Sequence, residues 1–217
     1  MQRSSKYDTS GLIEAQFEPG SGRRVLVNLL GIKSKREMDR VEAREQLHAL
    51  QELSGAYDIS HRFTAWDVCR IHEAWLGGIY KWAGRYRLVN VSKGNFHFAT
   101  AAHVPNLMDA FERGPLRELT PCKFGTLEEI ARALAVVHTE LVLIHPFREG
   151  NGRVARLLSI LMGLQAGLPP LDFSGILSRK KKEYITAVQA GMDRDYSPME
   201  RIFKSVIRRT LRVRGGK

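Results

Sequence analysis

A histidine, an acid, two glycines around an asparagine and two arginines fall within one short stretch of this 217-residue chain: His145-Pro146-Phe147-Arg148-Glu149-Gly150-Asn151-Gly152-Arg153-Val154-Ala155-Arg156. Each type suits one part of a phosphoryl- or nucleotidyl-transfer site. His145 titrates near neutral pH and can take a proton from an attacking hydroxyl. Glu149 is a hard oxygen ligand of the kind that holds Mg²⁺ against phosphates. Gly150 and Gly152 permit backbone conformations and close approaches that a Cβ would block. With Asn151 between them, their N–H groups can form an anion-binding concavity. A helix opening there would aim its positive dipole end at the same point. Arg153 and Arg156, three apart, share a helix face and can both reach phosphate oxygens. Phe147 reads as a core anchor. Such a set suits a transfer reaction that needs positioning and charge neutralisation more than covalent chemistry.

Two apolar segments must hold this loop. Upstream, Ile130, Leu134, Val137, Leu141 and Ile144 recur at helical spacing, and Thr126-Leu127-Glu128-Glu129 reads as the capping box that opens their helix. Downstream, Leu157, Leu158, Ile160, Leu161 and Leu164 continue a second helix. Taken singly, each residue has an ordinary explanation: Gly-Asn-Gly is a common turn, and a histidine before proline is commonly structural. Pro146 and the glycines also argue against His145 and Glu149 as a zinc-type helical pair. Their conjunction at this spacing argues for a site.

The stretch resembles, without a gap, the Fic motif His-x-Phe-x-Asp/Glu-Gly-Asn-Gly-Arg-x-x-Arg. The segment Tyr80-Lys81-Trp82-Ala83-Gly84-Arg85-Tyr86-Arg87 is similar to a second stretch common in Fic domains. The resemblance spans roughly residues 64–205 and implies an all-α fold with one small β-hairpin flap. It also implies a protein adenylyltransferase, moving AMP from ATP to a Ser, Thr or Tyr hydroxyl of a target protein with release of pyrophosphate. His145 would be the base and Glu149 the Mg²⁺ ligand. Gly150, Asn151, Gly152, Arg153 and Arg156 would hold the phosphates. The related Doc branch, which transfers phosphate, typically carries Lys where this chain has Gly152. Transfer of another nucleotide or of phosphate, or a catalytically silent protein-binding module, remain the alternatives. Leu88 to Ser92 and Phe96 to Phe98 alternate around Lys93-Gly94-Asn95 and predict a hairpin. By resemblance this hairpin is the Fic flap, with Lys93, Gly94, Asn95 and Phe96 docking the target by strand addition.

Many Fic enzymes are held off by a helix bearing Ser/Thr-x-x-x-Glu followed by Gly or Asn, whose glutamate pairs with the second motif arginine, here Arg156. Ser10-Gly11-Leu12-Ile13-Glu14 has that spacing, but Ala15 follows. Glu14 is therefore a candidate inhibitory residue. The alternatives are a separate inhibitor or antitoxin chain, as in toxin–antitoxin pairs, or no such control. A homo-oligomer is left open.

The rest of the chain is consistent with one domain, residues 34–217, preceded by an arm over residues 1–33. Ser34-Lys35-Arg36-Glu37 predicts a helix to about residue 53. Thr64-Ala65-Trp66-Asp67 opens another, with Val68, Ile71, His72, Trp75, Leu76 and Ile79 as its stripe. His72 on that stripe reads as a hydrogen-bonded core histidine. Val104, Leu107, Met108 and Phe111 mark a further helix. Residues 179–191 read as helical, with Tyr184 bordering the nucleotide pocket. Ser197-Pro198-Met199-Glu200 opens the last helix. A hydrophobic content of 43% supports a core, and no apolar run reaches bilayer-spanning length. The N-terminal residues carry no classical signal peptide, and two cysteines, Cys69 and Cys122, read as buried free thiols of a cytoplasmic protein. The net charge of +11 is concentrated at the end: residues 179–217 hold twelve Lys and Arg against four Asp and Glu. With few aromatics and no helix-turn-helix or zinc pattern, that end reads as a solvated helix face rather than a nucleic-acid surface.

Overall fold

The computed structural model describes residues 11–94, 96–179 and 181–215. Ser10, the first residue of the candidate inhibitory pattern, and Asn95, expected at the hairpin tip, lie outside the described residues. The architecture is helical with one small hairpin. In chain order it runs α1 (Lys35–Ala56), α2 (Ala65–Leu76), β1 (Ser92–Lys93), β2 (Phe96–His97), α3 (Val104–Phe111), α4 (Arg117–Leu119), α5 (Leu127–Ile144), α6 (Asn151–Gln165), α7 (Ser174–Arg179), α8 (Lys181–Ala190) and α9 (Ser197–Gly215).

The helix starts follow from local hydrogen bonding. Thr64 and Thr126 each accept from the backbone N–H three residues on, and Asp67 and Glu129 reach back to the capping backbone, so both capping boxes are complete. At α1 only half of the expected box forms: the Ser34 hydroxyl accepts from Glu37 N. Central α5 packs against α6 on one side and α9 on the other. The stripe Met199, Ile202, Phe203, Val206 and Ile207 of α9 is buried. Helix α2 lies between α1 and α6. The loop joining α5 to α6 is thus clamped at both ends by buried helices.

The described part of the N-terminal arm, residues 11–33, is packed onto this body. Val25, Leu26 and Ile32 enter the core, Phe17 and Leu26 form an antiparallel bridge, and Leu29 N donates to Ile79 O. Asn28 braces the turn: its side chain donates to Leu26 O and Ile32 O and accepts from Leu30 N and Ile32 N.

The hairpin is shorter than the alternation predicts. Only Ser92↔His97 and Lys93↔Phe96 pair, with Gly94 at φ +59° in the turn. The chain bends at Leu88 and Val89, where its backbone is drawn to other partners, and only Val91 O, accepting from Phe98 N, continues the hairpin. Arg87 N donates to Pro146 O, Leu88 N to the Glu14 carboxylate, and the Arg87 guanidinium to Val89 O. Of the two cysteines, Cys122 is buried and Cys69 is only partly so; both are free thiols.

Candidate active site

The chain between α5 and α6 turns sharply at two left-handed residues. His145 caps α5 at φ +54°, an uncommon conformation for a residue with a side chain, and Gly150 caps α6 at φ +84°. Position 150 admits only glycine for a second reason: a Cβ there would lie 2.6 Å from Cζ3 of Trp75.

The backbone of this loop is tied down carbonyl by carbonyl. Arg87 Nε donates to His145 O at 2.7 Å and Arg87 N to Pro146 O at 2.8 Å. Asn151 clamps Phe147 from both sides, its Oδ1 accepting from Phe147 N and its Nδ2 donating to Phe147 O, each at 2.8 Å. The Asn151 side chain is therefore a loop brace, and its backbone N–H, the group read from the sequence as part of a phosphate cradle, lies at the start of α6. His72 accepts from Gly84 N on Nδ1, which leaves Nε2–H to donate to Glu149 O. Its ring stacks on Phe147 at 3.9 Å. Burial lowers the His72 pKa to about 3. The core histidine expected on the α2 stripe is thus neutral and fixes the loop.

One cavity of about 920 Å³ opens over this loop, lined by His145, Glu149, Gly150, Asn151, Gly152, Arg153 and Arg156. Lys93 and Phe96 of the hairpin line it too. Phe173, Ile176, Ile185 and Val188 add apolar lining to it, and Tyr184 also borders it. The motif residues, Lys93, Phe96 and Tyr184 are therefore brought together, whereas Gly94 and Glu14 do not line the cavity. The Glu14 carboxylate accepts from Leu88 N at 2.7 Å, and its carbonyl accepts from Arg148 Nε at 2.8 Å. Glu14 does not line the cavity, and the expected Glu14–Arg156 pair is not formed: the helical turn carrying it, Ile13–Ala15, packs its side chain against the start of residues 88–91 instead.

Within the cavity the ring of His145 has one nitrogen engaged and one open. Its Nδ1 lies 3.1 Å from Val142 O, which can only accept, so Nδ1 carries the proton and the Nε2 lone pair is free. Phe98 stacks on the ring. Burial, with a smaller push from the Arg87 guanidinium, lowers the His145 pKa to about 4, so the ring is neutral at neutral pH.

Glu149 is exposed; its Oε1 accepts from Gly150 N at 3.0 Å and lies 3.5 Å from Arg153 Nη2. Helix α6 begins beside it, directing its positive end into the cavity. A Cβ at Gly152 would meet nothing closer than the Arg156 guanidinium at 3.7 Å, so packing does not demand glycine at that position. Arg153 and Arg156 diverge in their support. Arg153 is anchored: Nη1 donates to Glu42 Oε2 at 2.6 Å and the guanidinium lies 4.4 Å over Trp75. Glu42 is 2% exposed; its other oxygen accepts from Tyr80 OH and its carbonyl from Trp75 Nε1. Burial lowers the Arg156 pKa, offset in part by nearby Tyr184.

Sequence reasoning did not single out Glu42, Phe98 or His138, and placed Arg87 only within a structural segment. Glu42 had a signal: with Met38, Ala49 and Leu53 it occupies the buried face of α1, where an acid demands a partner. Among the described residues no group of three or more His, Cys, Asp or Glu gathers, and no helix is long and apolar enough to cross a membrane.

The profile of the Fic/DOC family matches residues 62–162. The chain is 32% identical over 162 residues to the protein adenylyltransferase VbhT of Bartonella schoenbuchensis, covering 75% of this chain and 33% of that protein. It is 30% identical over 145 residues to the probable protein adenylyltransferase Fic of Salmonella typhimurium, covering 64% of this chain and 68% of that one. The chain thus spans about a third of the length of the first relative and two thirds of the second. Among solved structures, the BepC protein of Bartonella tribocorum with bound AMPPNP superposes with a TM-score of 0.70 at 22% identity, over 90% of this chain and 97% of that one. Motif, fold and relatives agree: the chain belongs to the Fic/DOC family.

Proposed function

We propose that this protein is an adenylyltransferase that moves AMP from ATP to a hydroxyl of a target protein, with pyrophosphate leaving. The observation that carries the reading is the neutral His145, its Nδ1–H on Val142 O and its Nε2 free, in one cavity with the start of α6, Glu149 and Arg156. The names of the relatives and the AMPPNP in BepC support a nucleotide as the substrate.

In this reading the target hydroxyl gives its proton to His145 Nε2 as its oxygen attacks the α-phosphorus. The bond from that phosphorus to the bridging oxygen breaks, and the pyrophosphate carries away the electron pair. Gly150, Gly152 and the backbone of Asn151 hold phosphate oxygens at the helix start, and Arg156 neutralises charge developing on them. Arg153 faces the same phosphates while held by Glu42. The apolar lining of the cavity fits the adenine base. Glu149 is a single exposed carboxylate, which fits Mg²⁺ that takes its remaining ligands from phosphates and water. When bound there, the ion would screen phosphate charge. Lys93, Gly94 and Phe96 would dock the target backbone along the hairpin, registering its hydroxyl at His145. Glu14, engaged with Leu88, is not assigned an inhibitory role, which leaves a separate inhibitor chain or no such control.

The test is incubation of the purified protein with α-labelled and, separately, γ-labelled ATP in a cell lysate. Label transferred to protein from α-labelled ATP alone is the expected result. Transfer from γ-labelled ATP alone would replace this reading with phosphate transfer, and no transfer to any protein would remove the enzyme reading.

A further inference from the structure

A buried histidine that takes no part in the chemistry above sits behind the cavity wall. His138, on the inward face of α5, is bonded on both ring nitrogens: Nδ1 lies 3.2 Å from Ser159 Oγ and Nε2 lies 2.8 Å from Tyr184 OH. The direction of each bond can be derived. Ser159 spends its only proton on Ala155 O, one turn back in α6, at 2.7 Å. Its oxygen can then only accept, so His138 Nδ1 is the donor. A neutral imidazole with a proton on Nδ1 has a lone pair on Nε2, so the Tyr184 hydroxyl must donate there. His138 is indeed held neutral, its pKa lowered to about 3 by burial and by the nearby Arg156 guanidinium.

The consequence falls on the cavity. Tyr184 and Arg156 both line it. With its proton committed to His138, the Tyr184 oxygen presents only lone pairs toward its other neighbours. An oxygen that can only accept attracts the Arg156 guanidinium and repels phosphate oxygens. The two groups are close enough for each to enter the other's electrostatics.

We propose that His138 and Tyr184 are positioning residues: the directed chain Tyr184 O–H to His138 Nε2, His138 Nδ1–H to Ser159, and Ser159 O–H to Ala155 O fixes the phenol oxygen as an acceptor that aims Arg156 at the nucleotide phosphates. The proposal rests on the nucleotide-binding reading of the cavity. It adds that a proton location on α5, outside the Fic-motif loop, sets how well Arg156 binds.

Two readouts test it. The first is the tautomer of His138 by ¹⁵N–¹H correlation on the protein without nucleotide; Nδ1–H, unchanged between pH 8 and pH 5, is expected. The second is ADP affinity by calorimetry. H138L and Y184F should each weaken ADP by about tenfold, on the scale of one hydrogen bond to a charged group. The double variant should lose little more than either alone, because both break the same chain. H138Q, whose amide oxygen can accept where Nε2 did, should recover much of what H138L loses. Y184F, at the cavity edge, is expected to keep the fold even if H138L does not, with thermal denaturation as the check. An Nε2–H tautomer, or a wild type that binds ADP while folded Y184F binds it equally well, overturns the proposal. A wild type with the Nδ1–H tautomer that does not bind ADP overturns the nucleotide reading instead, and with it the role assigned to Arg156.

Discussion

The ring of Phe98 lies face to face on the ring of His145, centroids 3.6 Å apart and planes 19° from parallel. The residue after the hairpin therefore covers one face of the candidate base and joins the hairpin to the α5–α6 loop. Removing the ring should hydrate His145 and return its pKa from about 4 toward the ordinary 6.5. Phe98→Ala is expected to move the acidic limb of the pH–rate profile upward, while the wild type shows no inflection near 6.5. A wild-type limb at 6.5, or no movement in the variant, would show that Phe98 does not set the state of the base.

His145→Ala should lower transfer by about 10²–10⁴-fold, the usual contribution of a general base. Nucleotide binding should survive, because the proposed reading gives the phosphates to the helix start and Arg156. Calorimetric ADP titration alongside the labelled-ATP assay separates the two, and a variant retaining most of its transfer activity would remove His145 from the mechanism.

The two motif glycines should behave differently. Gly150 combines φ +84° with a Cβ position 2.6 Å from the Trp75 ring, so Gly150→Ala must displace the ring or the loop. The expected effect is a loss of stability of about 2 kcal/mol or more. At Gly152 the nearest atom to an added Cβ is 3.7 Å away. Gly152→Ala should keep the thermal midpoint and weaken ADP, since the methyl enters ligand space. Equal melting of both variants would contradict the contrast.

Much of the site was legible in the sequence because it is local: the motif residues are neighbours in the chain, and the capping boxes at Thr64 and Thr126 are three-residue patterns. The supports were not legible because they arrive from far away. Glu42 reaches Arg153 across 111 positions, Glu14 reaches Leu88 across 74, and Arg87 reaches His145 across 58. No periodicity encodes such pairs; only an acid on an otherwise apolar face, as Glu42 is on α1, hints that a partner exists. The hairpin is shorter than expected for a related reason: alternation does not tell which partner takes a backbone group, and Leu88, in a bend, gives its N–H to Glu14.

The Glu42–Arg153 pair carries its own prediction. Glu42 is buried and its carboxylate serves Arg153 and Tyr80 together, so Glu42→Ala takes away the buried counter-charge of Arg153 and leaves only exposed Glu149, at 3.5 Å. A loss of about 3–5 kcal/mol is expected in urea denaturation. Tyr80→Phe removes one neutral donor to the same carboxylate and should cost about 1 kcal/mol. Similar small losses in both variants would show that the pair is not the anchor of this corner.

Three histidines make stability depend on pH in a stated direction. His72, His138 and His145 are neutral in the fold, with values lowered from 6.5 to about 3, 3 and 4. In His72 and His138 each ring uses one nitrogen as donor and the other as acceptor, so an added proton would set N–H against N–H or O–H. The unfolded chain meets no such obstacle and binds protons on all three rings near 6.5. As pH falls below that value the unfolded state holds more protons than the native one, and stability declines. Stability from these groups is fully present above about pH 6.5 and is lost progressively toward pH 4 and below, with a slope of at most about 4 kcal/mol per pH unit for three protons. Carboxylates with lowered values act in the same direction, but only below their ordinary values, 3.8 for Asp67 and Asp172 and 4.5 for Glu45. The interval from pH 6.5 to 4.5 therefore isolates the histidines. Urea midpoints measured at pH 7.5, 6.0, 5.5 and 5.0 should fall steadily, and His145→Ala should flatten part of the fall. A midpoint that holds level from pH 7.5 to 5.0 would mean that the rings accept protons in the native state.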